Sequence, residues 1–112
     1  MFSVKKYRDI EKLSDPEKLE ILRKCRKRID FFDRILVYIL NKRTEAAVLI
    51  GHVKTSLGQP IYSPERERDV SEKINSSNKG PLSRESLDRI YERILDESRS
   101  TQKAESSKVN AK

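Results

Sequence analysis

Stepping alternately three and four residues along the chain from Leu22 lands on Cys25, Ile29, Phe32, Leu36, Ile39, Arg43, Ala46, Ile50, Val53 and Leu57, and ten of these eleven positions are apolar. Five heptads of that spacing specify one long amphipathic helix with a coiled-coil-like seam. The flanks carry matching punctuation. Ser14-Asp15-Pro16-Glu17 supplies an N-cap, a proline in the first turn and a Ser-x-x-Glu capping box, and Gly58 followed by Pro60 supplies a stop. At 1.5 Å per residue a helix over 16–57 is about 60 Å long, whereas a compact domain of this size has a radius of gyration of about 13 Å. Such a helix outreaches its own fold, and a second chain is expected to cover the excess.

The remaining elements are shorter. Ser63-Pro64-Glu65 opens a second helix, with Ser63 as N-cap, Pro64 at the first helical position and Glu65 and Glu67 complementing the helix dipole. Only Val70 and Ile74 share an apolar face there before Asn75-Ser76-Ser77-Asn78-Lys79-Gly80-Pro81 interrupts. Ser83 caps a third helix, with Leu82 and Leu87 at staple positions and Leu87, Ile90, Tyr91, Ile94 and Leu95 forming its apolar face. Gly and Pro together number seven, too few for the turns of a β-sandwich or barrel. Leu, Ile, Val and Phe make up 29 of the 112 residues, above the roughly 20% below which disorder is the default. The expected fold is all-α, with one long, one short and one medium helix over residues 15–102. Residues 1–14 read as an N-terminal extension, and residues 103–112, without periodic apolar content, as a disordered tail.

Charge and residue inventory narrow the function. The net charge is +7, which favours an anionic partner: nucleic acid, acidic lipid or a small dianion. One Cys and one His exclude an internal disulfide and leave neither a Cys/His zinc site nor a Cys-His-acid triad, so Cys25 and His52 read as structural. The longest apolar run, Ile35 to Leu40, is far below the roughly 18 residues of a membrane span. The expectation is a soluble, cytoplasmic chain.

The break in the seam is the most informative position. Arg43 stands where a guanidinium is costly unless an anion meets it. Lys54, eleven residues on, returns to within about 20° of the same helix face. Ser98 and Gln102 extend the stripe of Tyr91, Ile94 and Leu95 with hydrogen-bonding groups. Each has a bland reading. Arg43 could pair with Glu67 or Glu45, Lys54 could snorkel into solvent, and Ser98 and Gln102 could lie on the surface. Arg26 lies about 100° away from Arg43 around the helix, so it could join the cluster only from a partner chain.

Taken in order, Leu22-Arg23, Arg26, Ile29-Asp30-Phe31-Phe32-Asp33, Asn41-Lys42-Arg43, Ile50-Gly51-His52-Val53-Lys54, Pro60-Ile61-Tyr62-Ser63-Pro64-Glu65-Arg66-Glu67, Ile94-Leu95-Asp96-Glu97-Ser98 and Gln102 resemble the all-helical (type II) chorismate mutases. The resemblance covers about residues 15–102. It implies an intertwined homodimer whose long helices pair and whose two sites each borrow an arginine. It also implies a cofactor-free isomerase that turns chorismate into prephenate by a [3,3] Claisen rearrangement, in phenylalanine and tyrosine biosynthesis.

By that resemblance Arg43 grips one substrate carboxylate, and Arg26 reaches across the dimer to the other, the guanidinium being suited to bidentate carboxylate binding. Lys54 and Gln102 donate to the ether oxygen, Glu67 accepts from the ring hydroxyl, Arg66 supports, and Ser98 donates on the carboxylate side. Ser63 stands where the family commonly has Asp, keeping the cap. Gln102 is an amide, so this donor does not titrate. Another enzyme of the same pathway is a candidate docking partner, with residues 1–13 available for it. Isochorismate pyruvate-lyase activity on the same scaffold and a non-catalytic dimer binding nucleic acid through Arg23, Lys24, Arg26, Lys27 and Arg28 are the alternatives. Acidic neighbours of that basic run make nucleic acid the weaker one.

Overall fold

A computed structural model describes residues 9–110. It holds three helices, α1 (Asp15–Ser56), α2 (Pro64–Ser77) and α3 (Arg84–Asn110), and no strand among the described residues. The chain divides into two units between Leu40 and Asn41. Residues 1–8 of the expected extension and 111–112 of the expected tail lie outside the described residues.

The first unit comprises a 3₁₀ turn over 9–12 and the N-terminal part of α1. The capping box forms as the sequence specifies. Glu17 N–H donates to Ser14 Oγ at 3.3 Å, and Ser14 N–H and Oγ donate to Glu17 Oε1 at 3.2 and 2.8 Å. The hydroxyl bond holds the Glu17 carboxyl below the usual carboxylate range. A lowered folded-state pKa contributes stability above the ordinary glutamate value and loses it as pH falls through the lowered one. Along this part of α1 the seam residues Leu22, Ile29, Phe32, Leu36 and Ile39 remain 43 to 61% exposed.

The second unit carries the rest of α1 together with α2 and α3. Helix α1 stops in a Schellman motif. Gly58 adopts φ +69°, its N–H donates to the Thr55 carbonyl at 3.1 Å, and Gln59 N–H donates to the Lys54 carbonyl at 2.8 Å. Ser63, extended at φ −133°, accepts from Arg66 N–H and starts α2, with Pro64 following it. Ser83 accepts from Ser86 N–H at 3.1 Å and starts α3. Ala47 and Val70 are the buried apolar side chains among the described residues. Ile74 is half-buried beside Val70's face, as are Leu87, Tyr91, Ile94 and Leu95 on α3, while Ile90 stays 47% exposed.

Two elements run longer than their apolar content implies. Helix α2 continues through Asn75, Ser76 and Ser77, whose side chains fold back onto helix carbonyls: Asn75 on Ser71 at 2.8 Å, and Ser76 and Ser77 on Lys73 at 2.8 and 3.0 Å. Asn75 Nδ2 also donates to Asp88 Oδ1 at 2.8 Å, tying α2 to α3. The expected disordered tail is corrected more sharply: residues 103–110 are helical. Ala104, Lys103, Glu105 and Lys108 are good helix formers, Lys108 pairs with Glu105 at 3.0 Å, and Ser106 is buried, accepting from Thr55 Oγ1 at 3.4 Å. Small polar contacts of this kind leave no apolar periodicity to read.

A Cβ added at Gly58 would meet nothing within 4 Å, so the requirement for glycine there is conformational rather than steric. Gly58→Ala is expected to cost about 1 kcal/mol from the left-handed backbone alone, measured by denaturant unfolding. An unchanged midpoint would show that the Schellman turn does not hold the end of α1.

Candidate active site

The C-terminal part of α1, the start of α2 and the middle of α3 enclose a cavity of about 230 Å³. Seven of the eight residues expected at the site line it: Arg43 and Lys54 from α1, Ser63, Arg66 and Glu67 from the start of α2, and Ser98 and Gln102 from α3. Arg26 is exposed on the first unit's part of α1 and is not among them. Ala47, Ile50, Val70 and Leu95 give the cavity its apolar wall.

Local bonding fixes the polar groups. Arg43 Nη1 donates to Ser98 Oγ at 2.7 Å across α1 and α3. Lys54 Nζ donates to the Ile61 carbonyl at 3.1 Å, immediately after the Schellman turn reverses the chain. Gln102 is 9% exposed, and its Nε2 donates to the Ala47 carbonyl at 2.8 Å. An amide carries two N–H donors, so one remains for a ligand.

At Gly51 the backbone of α1 lies close against Gln102 of α3. A Cβ there would stand 3.1 and 3.2 Å from Cβ and Cγ of Gln102, closer than ordinary van der Waals contact. Glycine at this helical position is what allows Gln102 to reach Ala47.

The charges are unevenly paired. Glu45 pairs with Lys42 at 3.4 Å and Glu67 pairs with Arg99, so neither of the carboxylates available to neutralise Arg43 does so. Among the described residues Arg43 and Lys54 have no carboxylate within ion-pair distance. Arg66 is paired with Asp69 at 2.6 Å at the exposed rim. Two half-buried cations face one cavity without a counter-anion among the described residues, an arrangement that stores affinity for a small anion with two acceptor groups.

Arg99 is the lining residue that sequence reasoning missed. It bonds to Glu67 and to Asp96, and its guanidinium lies 5.0 Å from the centroid of the Tyr62 ring. The Glu67 carboxylate raises its pKa further above the ordinary arginine value. Its place three residues before Gln102 on α3 was the available signal. Among the described residues no three His, Cys, Asp or Glu side chains converge as a metal-binding group, and no helix is long and apolar enough to cross a membrane.

Gly51→Ala gains about 1 kcal/mol of helix propensity and loses about 1–3 kcal/mol to overpacking against Gln102. A net loss of about 1 kcal/mol in denaturant unfolding is expected. A variant more stable than the parent would show that α3 yields freely and that Gly51 does not position Gln102.

Comparison with known proteins identifies the family of this chain. The family model for chorismate mutase type II matches residues 25–103. The bifunctional chorismate mutase/prephenate dehydratase of Aquifex aeolicus is 40% identical over 81 residues, covering 69% of this chain and 22% of that protein. The chain thus spans about a fifth of the bifunctional relatives it matches. The chorismate mutase of Methanocaldococcus jannaschii is 28% identical over 86 residues, covering 76% of this chain and 87% of that one. Among solved structures, chorismate mutase from Helicobacter pylori in complex with prephenate superposes with a TM-score of 0.71 at 30% identity, covering 77% of this chain and 93% of that one. Form II of the Thermus thermophilus chorismate mutase gives a TM-score of 0.72 at 27% identity, covering 73% and 93%. With the matched segment running through all three helices and every polar residue that lines the cavity, the chain belongs to the type II chorismate mutase family.

Proposed function

We propose that this protein is a chorismate mutase, isomerising chorismate to prephenate in phenylalanine and tyrosine biosynthesis. The observation that carries it is the pair of uncompensated cations, Arg43 and Lys54, facing one cavity with Ser98 and Gln102. Chorismate is a dianion with an ether oxygen that gains negative charge as its C–O bond breaks, so it needs this donor set. Support comes also from the family match and from the prephenate complex of the Helicobacter pylori relative.

The rearrangement is pericyclic and requires no nucleophile or proton transfer. Catalysis then consists of holding the diaxial conformer and stabilising charge where it develops. Arg43 grips one carboxylate and Ser98, already bonded to Arg43, donates beside it. Lys54 and the free N–H of Gln102 donate to the ether oxygen. Their own bonds to the Ile61 and Ala47 carbonyls hold them in place before substrate arrives, which lowers the reorganisation needed at the transition state. Glu67 accepts from the ring hydroxyl, and Arg66 stands at the rim in its pair with Asp69 as a supporting residue.

The second carboxylate is assigned to Arg26 of a second copy of the chain. The exposed apolar seam of Leu22, Ile29, Phe32, Leu36 and Ile39 in one unit, and of Ile50, Val53 and Leu57 in the other, supports an intertwined homodimer, since apolar faces of this extent seek cover. Arg26 lies on that seam's flank and is exposed.

Purified protein is expected to consume chorismate, followed by its ultraviolet absorbance, and to yield a product that acid converts to phenylpyruvate. Arg43→Ala and Lys54→Ala are each expected to lower turnover by about 10²–10³-fold or more while leaving the helical circular dichroism intact, as for removal of charge-stabilising donors. Near-normal turnover in either variant would overturn the assignment, and release of pyruvate from isochorismate without prephenate formation would point to the lyase instead. A mixture of inactive Arg26→Ala and Arg43→Ala chains tests the sharing of sites. Heterodimers place both changes in one site and none in the other, so activity should return on subunit exchange, and its absence after verified exchange would exclude a borrowed Arg26.

A further inference from the structure

Among the described residues that line the cavity, Glu67 is the one carboxylate, and left to itself it would be the natural counter-ion for Arg43 or Lys54. It is instead engaged by Arg99. Arg99 is well anchored to hold it, because it bonds to Asp96 one helical turn back, lies against the Tyr62 ring, and has a side chain only 24% exposed. Glu67 and Arg99 also line a second cavity of about 460 Å³, so the pair is common to both.

We propose, resting on the chorismate mutase function above, that Arg99 is a positioning residue that acts through Glu67. It keeps the Glu67 carboxylate away from Arg43, leaving that guanidinium to the substrate, and aims the remaining carboxylate lone pairs at the ring hydroxyl. A carboxylate has about four acceptor sites, so an Arg99 bond does not exhaust it. The double anchoring of Arg99 matters because a guanidinium held at Asp96 and Tyr62 orients its partner with little further loss of side-chain entropy.

The test is a double-mutant cycle on chorismate turnover with Arg99→Ala, Glu67→Ala and the double variant, with Arg99→Lys as the conservative control. Arg99→Ala is expected to lower kcat/KM roughly tenfold, mainly through KM, because the hydroxyl contact and a free Arg43 both serve binding. In the Glu67→Ala background the same change should alter kcat/KM by less than about twofold, because a residue acting only through Glu67 has nothing left to position. Arg99→Lys, which keeps the charge but not the fork, should recover part of the loss. Additive losses in the double variant, or an Arg99→Ala effect confined to thermal stability with KM unchanged, would overturn the proposal while leaving the mutase function standing. Absence of turnover in the parent protein would overturn both, and is read from the parent alone.

Discussion

The close approach of α1 to α3 at Gly51 is the constraint on which the site depends. Because no Cβ intervenes, Gln102 reaches the Ala47 carbonyl at 2.8 Å and is buried there. That one contact sets the height of α3 against the C-terminal part of α1. One turn earlier on α3, Ser98 then falls opposite Arg43, and one turn later Ser106 falls beside Thr55. On α3 the three contacting residues, Ser98, Gln102 and Ser106, are four apart and share a face, and they meet α1 at Arg43, Ala47 and Thr55.

The electrostatics are organised by who takes which carboxylate. A cavity facing Arg43, Lys54, Arg66 and Glu67 could have collapsed into internal ion pairs, and a neutralised site would have little attraction for an anion. Asp69 takes Arg66 at the exposed rim and Arg99 takes Glu67, so the two cations on α1 are left facing the cavity. Lys54 and Arg43 are meanwhile held by neutral acceptors, the Ile61 carbonyl and the Ser98 hydroxyl. Those bonds orient a cation without cancelling its charge, so the guanidinium and the ammonium group keep their positive potential toward the cavity.

Much of the fold was legible because helix starts and stops are local chemistry. Ser14, Ser63 and Ser83 each cap a helix through their own hydroxyl, and Gly58 ends α1 through its own φ. The places where sequence reasoning failed share a cause. The last turn of α2 and the final turns of α3 are held by Asn75, Ser76, Ser77, Thr55 and Ser106. Polar side chains bonded to backbone or to one another read as loop in one dimension. Arg99 is illegible in the sequence for a similar reason, since a charged residue on a charged helix looks solvated until its partners are placed.

The sequence by itself determined the three helices, the apolar seam of α1 and the interruption of that seam by Arg43, because periodicity, caps and the cost of a buried guanidinium are properties of residues within a few turns of one another. It also marked Arg43, Lys54, Ser98 and Gln102 of the cavity lining through their spacing on α1 and α3, while the roles of Ser63, Arg66 and Glu67 came from the family resemblance. Only the tertiary structure decided which charges cancel. Whether Glu67 would neutralise Arg43 or be held off by Arg99 depends on where residues 32 positions apart meet in space, and no spacing along the chain specifies that.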